Sequence, residues 1–70
     1  MFEMGKKYVF DKYLWEKDMA KVAPGEGCDL DSNEWVHEIH GAEFAVTRVA
    51  MNQYVKNYSV FAEWCREVSA

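Results

Sequence analysis

The side chains of this chain best suited to chemistry are His37 and His40, Cys28 and Cys65, and the acids Glu26, Asp29, Asp31, Glu34, Glu38 and Glu43. His37 and His40 lie three apart within WVHEIHGAEF (35–44), with Glu34 and Glu38 beside them, so a helix would place candidate metal ligands on neighbouring turns. A zinc site needs at least three protein ligands in tetrahedral reach, and HEIH is not the HExxH spacing that sets two histidines on one face around a general base. The pair therefore reads as solvent-facing or helix-end histidine, and a protonated His40 would suit the negative end of a helix dipole. No metal or other cofactor is expected. Cys65 has only Arg66 as a neighbouring cation, and a reactive thiol needs an electropositive setting, so a buried structural cysteine is the better reading. Ser32, Ser59 and Ser69 have no nucleophile-elbow context, and Gly25 and Gly27 are followed by acids that would repel a phosphate. No catalytic residue is expected, and the chain reads as non-enzymatic.

Charge is distributed unevenly along the 70 residues, whose formal net charge is −4. Residues 1–23 carry five lysines against four acids and residues 44–70 three bases against two acids, whereas residues 24–43 hold six acids and no lysine or arginine. The middle third is thus −6 and each end +1. Such a segment disfavours direct contact with nucleic acid or an anionic membrane and favours a basic protein surface, so Glu26, Asp29, Asp31, Glu34, Glu38 and Glu43 are the candidate partner-binding residues. A solvated acidic face without a partner is the ordinary alternative. Two cysteines are too few for a secreted disulfide framework, and neither a signal peptide's apolar run nor a bilayer-spanning stretch is present, so a cytosolic setting is expected.

The elements that must position these residues follow from the apolar pattern. A chain of this length is expected to make one domain near the lower size limit, as a monomer or homodimer, with three Trp, four Tyr and four Phe supplying its core. The run KKYVF (6–10) reads as an edge strand or extended arm, with Tyr8 and Phe10 on one side and Val9 on the other. Asp11 then caps a helix with Leu14, Trp15, Met19, Val22 and Ala23 inward and Lys12, Glu16, Lys17, Asp18 and Lys21 in water; Pro24 ends it near Val22. Phe10 and Trp15 have the spacing of a hydrophobic staple, and Leu30 and Trp35 repeat it around a second cap at Asp31 with Glu34 at its third position. Trp35, Val36 and Ile39 form one helical face, Gly41 stops the helix, and Phe44 with Val46 begins an alternating pattern. Strands are predicted at 42–49 and 55–61 with a turn at Met51–Gln53, then a turn at Glu63–Cys65 and a short strand through Val68. The fold class is α+β, two short N-terminal helices packed on a small antiparallel sheet; the alternative is an all-α three-helix fold with one long helix from Phe44 to Phe61. The three tryptophans are expected to meet in the core, with Tyr8, Tyr13, Tyr54 and Tyr58 partly exposed.

Tyr8, Val9 and Phe10, then Trp35, Val36, Gly41 and Phe44, then Tyr58 and Val60, and finally Glu63, Trp64, Cys65, Glu67 and Val68 form a pattern along most of the chain. In this pattern the chain resembles a family of small proteins of phages and prophages of Gram-positive bacteria. It departs from that family at His40, where an acid is favoured, and at Ile39, a position often held by cysteine. The resemblance brings no activity with it. It implies an accessory protein in the cytoplasm of a bacterial host that binds and inhibits a host or defence protein, with anti-CRISPR action as one form. The rival expectation is a structural or assembly module that forms homo-oligomers.

Overall fold

In a computed structural model, which describes residues 1–25 and 30–68, the chain is α+β: two helices in the N-terminal half pack on small antiparallel sheets. The order is β1 (Lys7–Phe10), α1 (Lys12–Val22), α2 (Glu34–Ile39), β2 (Glu43–Ala45), β3 (Asn52–Val55), β4 (Tyr58–Phe61), a 3₁₀ turn (Ala62–Trp64) and β5 (Cys65–Glu67). One sheet runs β2-β1-β5 and the other is the β3-β4 hairpin. The all-α alternative is overturned: Phe44 lies in β2 and Tyr58 and Phe61 in β4, where one long helix would have carried them.

β1 is the central strand of its sheet, not an edge or an arm. Tyr8 stands between Phe44 of β2 and Glu67 of β5, and Val9 between Glu43 and Arg66. Its two-sided pairing explains why Tyr8, Val9 and Phe10 are all buried although the run is short, and why Tyr8 is not one of the part-exposed tyrosines. Alternation still separates the faces, because Tyr8 and Phe10 join the main core whereas Val9 is buried outside it.

Asp11 starts α1 as its spacing predicts. Its backbone is extended and its Oδ1 accepts from the Tyr13 N–H at 2.9 Å, while the helix ends at Val22, ahead of Pro24. Trp15 faces inward, but Val22 is 66% exposed, and Asp18 turns from water to accept the Trp64 indole N–H at 2.9 Å. The second cap is displaced. Asp31 lies in a turn closed by an Asn33 N–H···O=C Leu30 bond, and Asn33 is the residue that precedes α2. Leu30 and Trp35 are both partly buried against the core, but with the helix start at Asn33 they do not hold the N′ and N4 positions of a staple.

α2 buries Val36 and Ile39 completely and hands the chain to the sheet at Gly41. Gly41 has φ +83°, the left-handed geometry that closes a helix, and its N–H donates to the Phe10 carbonyl at 2.9 Å, so the helix stop is also an extension of the β1–β2 pairing.

After residue 41 the strands are shorter and differently paired than the alternation implies. The segment predicted as one strand over 42–49 forms β2 with β1 and then runs alongside the N-terminal residues, where Phe2 and Ala50 make an isolated antiparallel bridge. The reversal lies at Lys56 and Asn57, both with positive φ (49° and 72°), not at Met51–Gln53. Two left-handed residues in a two-residue loop match the right-handed twist of a hairpin. The final turn and strand are present, and β5 closes the sheet on β1.

The core is aromatic. Trp35 lies 5.7 Å from Trp15 and 6.2 Å from Trp64, ring centre to ring centre, with Tyr58 stacked on it at 5.5 Å, so the three tryptophans do meet. A second group, Phe2, Tyr8 and Phe44, packs edge-to-face and stacked at 4.9 to 6.2 Å. Phe2 is fully buried there.

Candidate functional site

α2 is a short helix with one face fully buried, so its polar side chains are directed outward from a fixed base. Glu34 and Glu38 are four residues apart, hence one turn apart on the same exposed side. Asp31 is exposed in the turn before α2, and Glu43 is exposed at the start of β2, beyond Gly41. Glu26 and Asp29, the other two candidate acids, lie outside the described residues, as does Cys28. The structure therefore brings Glu34 and Glu38 together on one helix and sets Asp31 and Glu43 on the segments that lead into and out of it.

Glu38 has a partner that sequence reasoning missed. The Tyr58 hydroxyl donates to its Oε2 at 3.1 Å, and this bond to a carboxylate pushes the Tyr58 phenol above its ordinary value. The bond ties α2 to the β3-β4 hairpin. No spacing in the sequence could have announced it, because the contact depends on a hairpin whose turn sits five residues from the predicted position.

His37 and His40 are both exposed, as expected, yet they are held by α1. His40 Nδ1 accepts the backbone N–H of Lys12 at 3.1 Å and so satisfies one of the free donors at the start of α1. His37 lies with Nε2 at 2.9 Å from the Leu30 carbonyl and Nδ1 at 3.1 Å from the Lys12 ammonium. The consistent tautomer donates to Leu30 and accepts from Lys12. Three of the four ring nitrogens are thus engaged with the protein's own groups, and His40 acts at the N-terminus of α1 where a role at the C-terminus of α2 was expected. Among the described residues no three His, Cys, Asp or Glu side chains stand together to hold a metal.

Cys65 is partly buried, and its Sγ lies 3.6 Å from the Phe61 carbonyl. Burial, followed by the nearby carboxylates of Asp11 and Glu63, pushes its thiol up to about 12. Arg66, the one cation expected to favour a thiolate, is instead committed to Asp11, with Nε 2.9 Å from Oδ2. That setting opposes nucleophilic chemistry at Cys65.

Among the described residues no helix is long and apolar enough to cross a membrane. Comparisons of the chain with protein-family models, with curated proteins and with solved structures find no match.

Proposed function

We infer that this chain is a non-enzymatic protein that binds and inhibits a bacterial protein, with Asp31, Glu34, Glu38 and Glu43, together with Glu26 and Asp29, complementing a basic surface on that partner. The observation that carries the reading is the outward side of α2. Its two carboxylates stand on a helix anchored by the fully buried Val36 and Ile39, and Glu38 is further held by Tyr58. A carboxylate held before binding, as Glu38 is by Tyr58, loses little freedom on association, and several of one sign speed encounter with a basic partner. A nucleic-acid channel in a bacterial defence protein has the required chemistry, since it arrays arginine and lysine at phosphate spacing; anti-CRISPR action is one such case. The phage-like sequence pattern supports that setting, in the host cytoplasm.

The test is capture from bacterial lysate on the immobilised chain at low and at high salt, with bound proteins identified by mass spectrometry. One stoichiometric partner that is lost at high salt is the expected result. A homo-oligomeric assembly module is the second reading, favoured by exposed apolar side chains such as Val49 and Tyr54, 62% and 69% accessible. It predicts a solution mass that rises with concentration in the absence of any partner.

A further inference from the structure

β2 is an edge strand, and its far side is open. The Ala42 carbonyl accepts the Phe10 N–H at 3.2 Å and the Val46 N–H donates to the Lys6 carbonyl at 3.0 Å, so the even-numbered residues of this stretch bond to β1. Alternation along an antiparallel strand then turns the N–H and C=O groups of Glu43 and Ala45 away from β1, and both residues are exposed. An edge of this kind is a template for another strand. The opposite edge of the sheet is built differently. There the Trp64 carbonyl and the Val68 N–H bond to β1 and its flank, which leaves Cys65 and Glu67 facing out with Arg66 between them. Two β5 edges paired about their centres would set Arg66 against Arg66, an opposition of like charges that destabilises a strand pair.

A second copy of the chain satisfies the β2 edge. With a twofold axis at Phe44, perpendicular to the sheet, Glu43 of each copy faces Ala45 of the other, and each facing pair exchanges two backbone hydrogen bonds. Phe44 meets Phe44 at the axis on the core side, where each ring is only partly buried by its own chain. The charges on the other face agree with this register. Tyr8 joins the core and stands opposite Phe44, so Lys7, Val9, Glu43 and Ala45 lie on the outer face. Lys7 is opposite Ala45, and the order across the outer face becomes Lys7, Ala45, then Glu43 of the second copy. Ala45 presents only a methyl group, and strands two apart are separated by about 9.5 Å, within the combined reach of a lysine and a glutamate. No ion pair among the described residues includes Lys7 or Glu43, so both charges are available, and the axis makes the contact twice. We propose that the chain self-associates through β2 as a closed twofold dimer, joining two three-stranded sheets edge to edge. The pairing assigns a surface to the homo-oligomer reading above and rests on that reading.

The test is analytical sedimentation of the whole chain at concentrations up to about 1 mM, since a short edge makes a small and weak interface. The expected result is a monomer that converts to a dimer and to nothing larger. Ala45→Pro should weaken the dimer at least about tenfold with the circular dichroism unchanged, because the N–H it removes makes no bond to β1 and an edge strand tolerates proline there. Glu43→Lys should also weaken the dimer, and Glu43→Lys combined with Lys7→Glu should restore it, a rescue that a merely misfolded variant would not show. A dimer left intact by Ala45→Pro and by Glu43→Lys, or a species that grows beyond two chains, would overturn the β2 pairing while homo-oligomerisation stands. A strict monomer at the highest concentration would overturn both.

Discussion

Asp11 links three elements through one side chain and one peptide unit. Its Oδ1 caps α1, its Oδ2 receives Arg66 from β5, and its N–H donates to the Trp64 carbonyl at 2.9 Å. Partial burial pushes its carboxyl upward, but the Tyr13 N–H, the Arg66 guanidinium and the Leu14 N–H outweigh that and hold it below its ordinary value. A carboxyl lowered on folding stabilises the native state above its unfolded value, near pH 4, and that contribution disappears as pH falls through the lower folded value. Asp11→Asn keeps a capping oxygen but loses the charge. The variant should be about 1 kcal/mol less stable at pH 7 by urea unfolding, and the gap should close as pH falls below about 4. A gap that persists at pH 2 would show that the charge is irrelevant. Cys65 gives a second residue-level expectation. With its thiol raised to about 12, alkylation at pH 8 resolved by peptide mass spectrometry should proceed at least about a hundredfold more slowly in the folded protein than in urea; comparable rates would contradict the burial described for it.

The local rules of helix termini read well from sequence, whereas strand partners did not. Asp11, Pro24 and Gly41 each act through their own backbone or the next turn, so their effects were visible in the residues themselves. The second cap was displaced because Asp31 and Asn33 are both residue types that favour a helix start; the turn from Leu30 places the start at the later one, and no side-chain capping bond closes it. β1 was misjudged as an edge because its partners, β2 and β5, lie more than thirty residues downstream and nothing local marks a strand as central. The hairpin turn was missed for a different reason. Lys56 is an unusual residue for a left-handed position, so the loop lacked the Asn-Gly or Asp-Gly signature that such turns show. That mismatch makes a prediction: Lys56→Gly should relieve backbone strain and stabilise the protein by about 0.5–1 kcal/mol in urea unfolding. A destabilised variant would place Lys56 in some other conformation.

At the scale of the whole molecule, aromatic packing holds a small chain together while Asp31, Glu34, Glu38 and Glu43 stay exposed. Trp35 touches Phe10, Trp15, Tyr58 and Trp64, so α2, which carries Glu34 and Glu38, rests on side chains from β1, α1, β4 and the 3₁₀ turn. The six candidate acids were legible from charge alone, but their support was not: the Tyr58–Glu38 bond and the Lys12–His37 contact join residues 20 and 25 positions apart. The measurement that bears most directly on the inferred role is a binding isotherm between the captured bacterial partner and two forms of the chain, wild type and Glu34→Lys with Glu38→Gln. The glutamine keeps an acceptor for Tyr58 while removing the charge, so circular dichroism and the unfolding midpoint should stay unchanged. Affinity at low salt should fall at least about tenfold in the variant, with the difference shrinking as salt is raised. Equal affinities for the two forms at low salt would contradict a role for these acids in binding.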